Sequence, residues 1–446
     1  MPASPADSAM YSGLLGDAET ARLFSDSAEV RAMLLVEGAL ARVQGAAGMI
    51  PADAAAFIDR ASREVQIDPS ALAAETARNG VPVPALLAAF RASANAPDML
   101  HYLHWGATSQ DIMDTALALR LRPVLDIWQA RLTGLLTRLA ELADAHAGLP
   151  MAARTYGQIA TPTSFGAVMA GWGWPLIGHH ARLGDLRADV LKVSLSGAAG
   201  TLSAMGAQGP SIRAALAKEL NLADPGHSWH SDRSGIAALA GFAAAMAASL
   251  GKMGEDLILL TQSGRGEVAL GLGGASSTMP QKQNPVAPSA MVALSRFVIG
   301  QAGLLQGAGI HREQRDGAAW FTEWLTLPQV CIALGRMLTL ASECLANLHP
   351  NAQAMERHLQ GANGSIYAEA LTFALAADMP RPQAEAQVKL LIGAAMGKGQ
   401  NLLELAVQAH PILNPAALIA NSLGVAPSEA RAFAQAAADL ARGEKR

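Results

Sequence analysis

Two stretches of the chain repeat apolar residues at alternating spacings of three and four, and that pattern leaves few folds open. Leu125, Trp128, Leu132, Leu135, Leu139 and Leu142 form the first, and Ile236, Leu239, Ala243, Met246, Leu250, Met253, Leu257 and Leu260 the second. The alternation keeps one narrow stripe of a long helix apolar, and such a stripe is buried against other long helices. Ala237, Ala238, Ala244, Ala245, Gly251 and Gly254 let neighbouring backbones approach closely. The seams therefore predict a bundle of long, nearly parallel or antiparallel helices. A bundle of this kind has more apolar faces than one chain covers, so self-association is expected.

The rest of the chain supports an all-α reading. Its hydrophobic content of 51% is largely alanine and leucine, and aromatic residues make up only 4%, so helix is the favoured state. At 446 residues the chain is long for a single core. Helical patterning covers 25–50, with Val30, Met33, Leu34, Leu40 and Val43 at helical offsets, then 52–64 and 69–79 before Gly80, Pro82 and Pro84 break it. After Pro350 the pieces shorten, separated by Gly361, Gly364, Pro380, Pro382, Pro411 and Pro415. The expected organisation is an N-terminal helical domain over 1–108, a central helix bundle over 109–350 and a C-terminal helical domain over 351–446.

Charge and cysteine content exclude several partners. The net charge of −4, with both signs interspersed, offers no basic stripe for nucleic acid and no polybasic arm for a membrane surface. Residues 1–10 lack the basic and apolar regions of a leader, and no uninterrupted apolar run of spanning length is read in the remainder. The expectation is a soluble, cytoplasmic protein with neither nucleic acid nor membrane as partner. Two cysteines, Cys331 and Cys344, fit a reducing compartment and core thiols.

The chemistry is expected at residues 273–285, Gly-Gly-Ala-Ser-Ser-Thr-Met-Pro-Gln-Lys-Gln-Asn-Pro. Gly273 and Gly274 permit positive φ and close approach of backbone to a ligand, while Pro280 and Pro285 stiffen the exit. Helix-compatible sequence resumes at once, so the segment runs into a helix N-terminus, where free N–H groups favour anions. Lys282 adds a positive charge. Composition alone would also suit an ordinary surface loop.

The motif is more specific than its composition. Ser276, Ser277, Met279, Pro280, Lys282 and Asn284 match Gly-Ser-Ser-x-Met-Pro-x-Lys-x-Asn, and the segment resembles the signature loop of the fumarase/aspartase superfamily. Ala275 stands where that motif has glycine. Residues 106–115, Gly-Ala-Thr-Ser-Gln-Asp-Ile-Met-Asp-Thr, resemble its first characteristic region in the form carried by the cycloisomerase branch, and 311–328 resemble that branch again. Residues 154–162, Arg-Thr-Tyr-Gly-Gln-Ile-Ala-Thr-Pro, are similar to its second region, with Tyr156 where histidine is usual. From the residues alone, Thr108, Ser109 or Asp111 is a helix cap, and the charges after His311 are a solvated helix end.

The resemblance implies a three-domain all-α fold with a central long-helix bundle, a homotetramer with active sites shared between subunits, and no cofactor or metal. It implies a small tricarboxylate substrate, one carboxylate of which adds to a conjugated double bond to give a lactone. The alternatives are a fumarate-releasing lyase such as adenylosuccinate lyase, or a helical scaffold without activity. Ser276 would exchange the α-carbon proton, with Lys282 and Asn284 stabilising the enediolate. Thr108, Ser109, Gln110, Arg154, Tyr156, Gln158, Ser277 and Met279 would bind substrate. Related lyases usually carry histidines at the positions of Tyr156 and, as in adenylosuccinate lyases, Gln110. A departing carboxylate, with a conjugate-acid pKa of about 4, needs no such proton donor. Ser249 with Lys252 lacks the companion motifs of penicillin-binding enzymes. The pairs His101/His104 and His227/His230 lack further metal ligands, and no dinucleotide or Walker loop occurs.

Overall fold

The computed structural model describes residues 4–443 apart from 272, 276, 277 and 362. Helix dominates, as the composition requires. The elements used below are α1 (Asp26–Ala46), α2 (Ala52–Glu64), α3 (Ser109–Ala145), β1 (Pro150–Thr155), β2 (Gln158–Ser164), α4 (Phe165–Val190) and α5 (Ser234–Leu260). They continue with β3 (Val268–Ala269), β4 (Gly274–Ala275), β5 (Gln283–Asn284), α6 (Val286–Gly307), α7 (Gly317–Ala346), β6 (His349–Pro350) and α8 (Ala352–Gln360). The strands form three antiparallel pairs, β1 with β2, β3 with β6 and β4 with β5.

Both seams are buried along their length. Leu125, Trp128, Leu132, Leu135 and Leu139 of α3 are fully enclosed, as are Leu239, Ala243, Met246, Leu250 and Leu257 of α5. The small residues beside the second seam set how closely helices approach. A Cβ on Gly251 would lie 2.4 Å from Ser295 Oγ, and one on Gly254 would lie 3.0 Å from the Pro288 carbonyl oxygen and 3.1 Å from Val292 Cγ2. Added methyl groups at such sites overpack a core at a cost of about 1–3 kcal/mol.

The chain packs as two compact units. One comprises Met1–Arg131, His179–Gly251 and Ala293–Thr339; the other comprises Leu132–Gly178, Lys252–Val292 and Leu340–Arg446. Every change of unit falls inside one of α3 to α7. The first unit has a core built on α1, where Met33, Val36 and Leu40 meet Leu86, Phe90, Ile112, Val193 and Ile212. Ser25 starts α1 by accepting the Ala28 N–H at 3.3 Å. In the second unit, Leu371, Leu375, Val388 and Leu402 form a separate small core among the C-terminal helices.

The expectation that no apolar run reaches spanning length is corrected here. By length and composition α5, α6 and α7 are each long and apolar enough to cross a membrane. Alanine and glycine raise their apolar content without interrupting them. Half or more of the most apolar window of each helix is buried inside the protein.

Candidate functional site

The start of α3 is organised by Asp111, which is fully buried. Its Oδ2 accepts the Thr108 N–H at 3.1 Å, the reciprocal half of a helix cap, and the Gly197 N–H at 2.9 Å. Its Oδ1 accepts the Ser196 N–H at 2.8 Å and lies 2.8 Å from His230 Nε2, with Ser194 Oγ at 3.4 Å. A carboxylate can only accept, so Nε2 of His230 carries the proton. Thr115 adds a reciprocal pair, giving its hydroxyl to the Ser194 carbonyl and accepting the Ser194 N–H. The residues after Gly106 are thus fixed against 194–197, and Thr108 and Ser109 remain partly exposed.

Gln110 is buried and its amide is fully engaged. It donates to Asp114 Oδ2 at 3.0 Å and to the His230 carbonyl at 2.9 Å, and it accepts from Arg315 Nε at 2.7 Å. Arg315 is exposed, like Arg312 and Glu313 and as the sequence suggested for the charges after His311, and its guanidinium also reaches back to the helix start. Nearby, Asp316 caps α7 through the Ala318 N–H at 2.8 Å. Beside Gln110, Arg233 is held by both oxygens of Asp114 and both of Glu323 at 2.6–3.1 Å. Burial opposes the guanidinium charge, but the two carboxylates outweigh it and hold the pKa above the ordinary arginine value. Burial likewise raises Glu323, with Arg233 opposing it.

The second unit carries the hairpin and the loop. Thr155 pairs with Gln158, so Tyr156 and Gly157 are the whole turn, at φ of 52° and 75°. A two-residue turn with both φ positive matches the twist of its strands and favours asparagine or glycine at its first position. Tyrosine is there instead, strained and completely exposed. Gln158 is also exposed. Arg154 points elsewhere: its Nη1 donates at 3.1 Å to both oxygens of Glu267, which has no exposed surface. The same carboxylate accepts from Arg265 Nε at 2.6 Å and meets His358 Nδ1 at 2.9 Å. Backbone bonds from Glu267 to Leu260 and from Asn351 to Glu267, both 2.9 Å, carry the chain into β3.

Beyond β3, Gly274 pairs with Asn284 and Ala275 with Gln283, so the signature segment leaves and returns at one point. Gly273 and Gly274 are absent from the positive-φ glycines, so the expected reason for them is corrected. A Cβ on Gly273 would lie 2.6 Å from Gln283 Cβ, and one on Gly274 would lie 2.5 Å from Val286 Cγ2. Crowding by the exit strand at Gly273 and by the first residue of α6 at Gly274, not positive φ, is what demands glycine. The helix after the loop begins at Val286 as expected. Met279 and Lys282 are exposed and Asn284 is half-buried, with the Lys282 N–H on the Met279 carbonyl at 3.0 Å. Ser276 and Ser277 lie outside the described residues.

Thr108, Ser109 and Gln110 thus belong to the first unit, and the hairpin and loop residues to the second. Cavities of about 530 and 820 Å³ occur, one in each unit; the second touches the hairpin at Pro150 and Pro162, and neither is lined by any of the site residues expected from the sequence. The anchors Asp111, Asp114, Arg233, Glu267 and Glu323 were not among the sequence-derived site residues. Asp111 and Asp114 do lie within the first motif, where their acidic character was legible.

A family model described as Lyase matches residues 17–300. The 3-carboxy-cis,cis-muconate cycloisomerase of Pseudomonas aeruginosa is 39% identical over 367 residues, 81% of this chain and 80% of that protein. Among solved structures, 3-carboxy-cis,cis-muconate lactonizing enzyme from Pseudomonas putida has a TM-score of 0.90 at 32% identity, covering 97% of this chain and 99% of that one. Fumarate lyase from Mesorhizobium sp. BNC1 has a TM-score of 0.88 at 34% identity, covering 94% and 98%.

Proposed function

This chain belongs to the lyase family of the fumarase/aspartase superfamily, and from that premise we propose that it is an enzyme acting on 3-carboxy-cis,cis-muconate as a cycloisomerase. The observation that carries the reading is the 39% identity to a cycloisomerase over four fifths of both chains. In the reaction a substrate carboxylate oxygen bonds to one carbon of the conjugated system. The displaced electron pair moves onto the α-carbon and its carboxylate as an enediolate, and the α-carbon then takes a proton, giving carboxymuconolactone. No redox partner or cofactor enters this balance.

Ser276 delivers the α-proton. Lys282, Asn284 and the loop N–H groups face the enediolate, and preorganised donors of this kind are worth about 3 kcal/mol each. Thr108, Ser109, Tyr156, Gln158, Ser277 and Met279 contact the tricarboxylate. Gln110, whose amide donors already meet protein acceptors, positions the helix start, while Arg154 anchors the hairpin through Nη1 on Glu267 and binds substrate through its other N–H donors. Purified protein given 3-carboxy-cis,cis-muconate should form the lactone, while adenylosuccinate should be untouched. Turnover of adenylosuccinate alone would favour the fumarate-releasing alternative, and inertness toward both a scaffold.

The active form is a homotetramer whose sites are shared between subunits. Exposed apolar side chains on the long helices support this, among them Leu259, Phe297, Ile299, Leu304 and Leu325, as does the exposed Tyr156. Mixing inactive Ser276→Ala and Thr108→Val proteins and reassembling them should restore part of the activity. An active monomer in sedimentation would refute the shared site. The reading also has the enzyme working in the cytoplasm, in the protocatechuate branch of aromatic degradation, without membrane or nucleic acid. The half-buried apolar helices and interspersed charges support it.

A further inference from the structure

The cavity of about 530 Å³ in the first unit has the size of pockets that enclose small ligands. Its wall combines aromatic rings with a poorly matched cation. Trp320 and Trp324 stand with ring centroids 4.9 Å apart, and the guanidinium of Arg120 lies 5.9 Å from the Phe24 ring. The Arg120 side chain is only 10% exposed. Its Nε is buried without a hydrogen-bond partner, and among the described residues its one ion-pair contact is Glu29 Oε2 at 3.4 Å. A guanidinium has five N–H donors, and burying a charge without hydrogen bonds is costly. Burial lowers the Arg120 pKa, with Glu29 acting in the opposite sense.

The other acids on the wall do not fill this need. Asp114 and Glu323 are taken by Arg233. Asp26 sits in the first turn of α1, where the helix dipole favours its charge. Glu29 is 31% exposed and can turn to solvent. We propose that the cavity is a binding site for a small planar aromatic monocarboxylate, its ring against Trp320 and Trp324 and its carboxylate replacing Glu29 on Arg120. The site is independent of the assigned reaction, since no proposed catalytic or substrate-contacting residue lines it.

Calorimetric titration of the intact protein with benzoate, benzamide and benzylamine tests the assignment. Benzoate should bind more tightly than the neutral amide or the cationic amine. Arg120→Met should weaken benzoate by roughly tenfold or more, the scale of a lost charged hydrogen bond. Glu29→Gln, which removes the competitor and keeps Arg120, should tighten benzoate severalfold. Ser276→Ala should bind it as wild type does, which separates this cavity from the reacting centre. Turnover in the Arg120 and Glu29 variants should stay within about twofold. Absence of benzoate binding, equal affinity in Arg120→Met, or preference for benzylamine would overturn the proposal. The Glu29→Gln result decides even where Arg120→Met loses its fold.

Discussion

Replacement of Ser276 by alanine should leave circular dichroism and assembly unchanged while lowering kcat by roughly 10²–10⁴-fold, the usual contribution of a positioned proton donor. The effect should fall on turnover more than on KM, because the hydroxyl acts on a proton moved only in the reaction. Ser277→Ala should cost less. Tyr156→Phe should cost much less as well, for the group that departs in the ring-opening direction is a carboxylate that leaves as its anion. Steady-state rates on 3-carboxy-cis,cis-muconate check all three. A near-normal Ser276→Ala enzyme removes that serine from the chemistry, and a Tyr156→Phe enzyme as crippled as Ser276→Ala makes the phenol a proton donor.

The largest stability loss is expected at Arg233, through its two buried carboxylates. Arg233→Met strips the cation from Asp114 and Glu323, both almost without exposed surface. Removing one partner of a buried ion pair typically costs about 3–5 kcal/mol, so the urea midpoint should fall by a readily measured amount. The pH dependence has a definite sign. In the native protein Glu323 is already raised above its ordinary value, chiefly by burial, despite Arg233; without the arginine it should rise further. An acid with a raised folded pKa binds more protons folded than unfolded, so stability falls as pH rises through that range. The variant should therefore regain part of its loss when pH is lowered from 7 toward the ordinary carboxylate range. A midpoint that keeps falling on acidification would contradict the proposed source of the defect.

Elements whose signals lie within a few turns of chain were legible beforehand. The seams of α3 and α5 declare their buried residues by spacing alone. The helix after residue 285 could be read because Gly273, Gly274, Pro280 and Pro285 punctuate the chain before it. What the sequence concealed are contacts with no local signal. Arg233 reaches residues 119 and 90 positions away, and Arg154 reaches Glu267 across 113. Spacing rules cannot pair such charges. Positive φ was the wrong reason to single out Gly273 and Gly274, because a crowded exit from the loop and a left-handed backbone both select glycine. The spanning-length helices were missed because alanine- and glycine-rich helices that carry a few charges are still apolar on average.

The five bonds at Asp111 bear on the order in which the chain assembles. Apart from Thr108, its partners lie 83 to 119 residues away, on the far side of two long helices and a hairpin. The entropy of closing so wide an interval is met before those bonds return anything, and contacts of that kind set the pace of folding. Helices α3 and α4 can gain their local hydrogen bonds while Asp111 is still unpaired. A nascent or partly denatured chain can then be strongly helical yet still lack a fixed surface at Thr108 and Ser109, so helicity alone is a poor witness that the enzyme has matured.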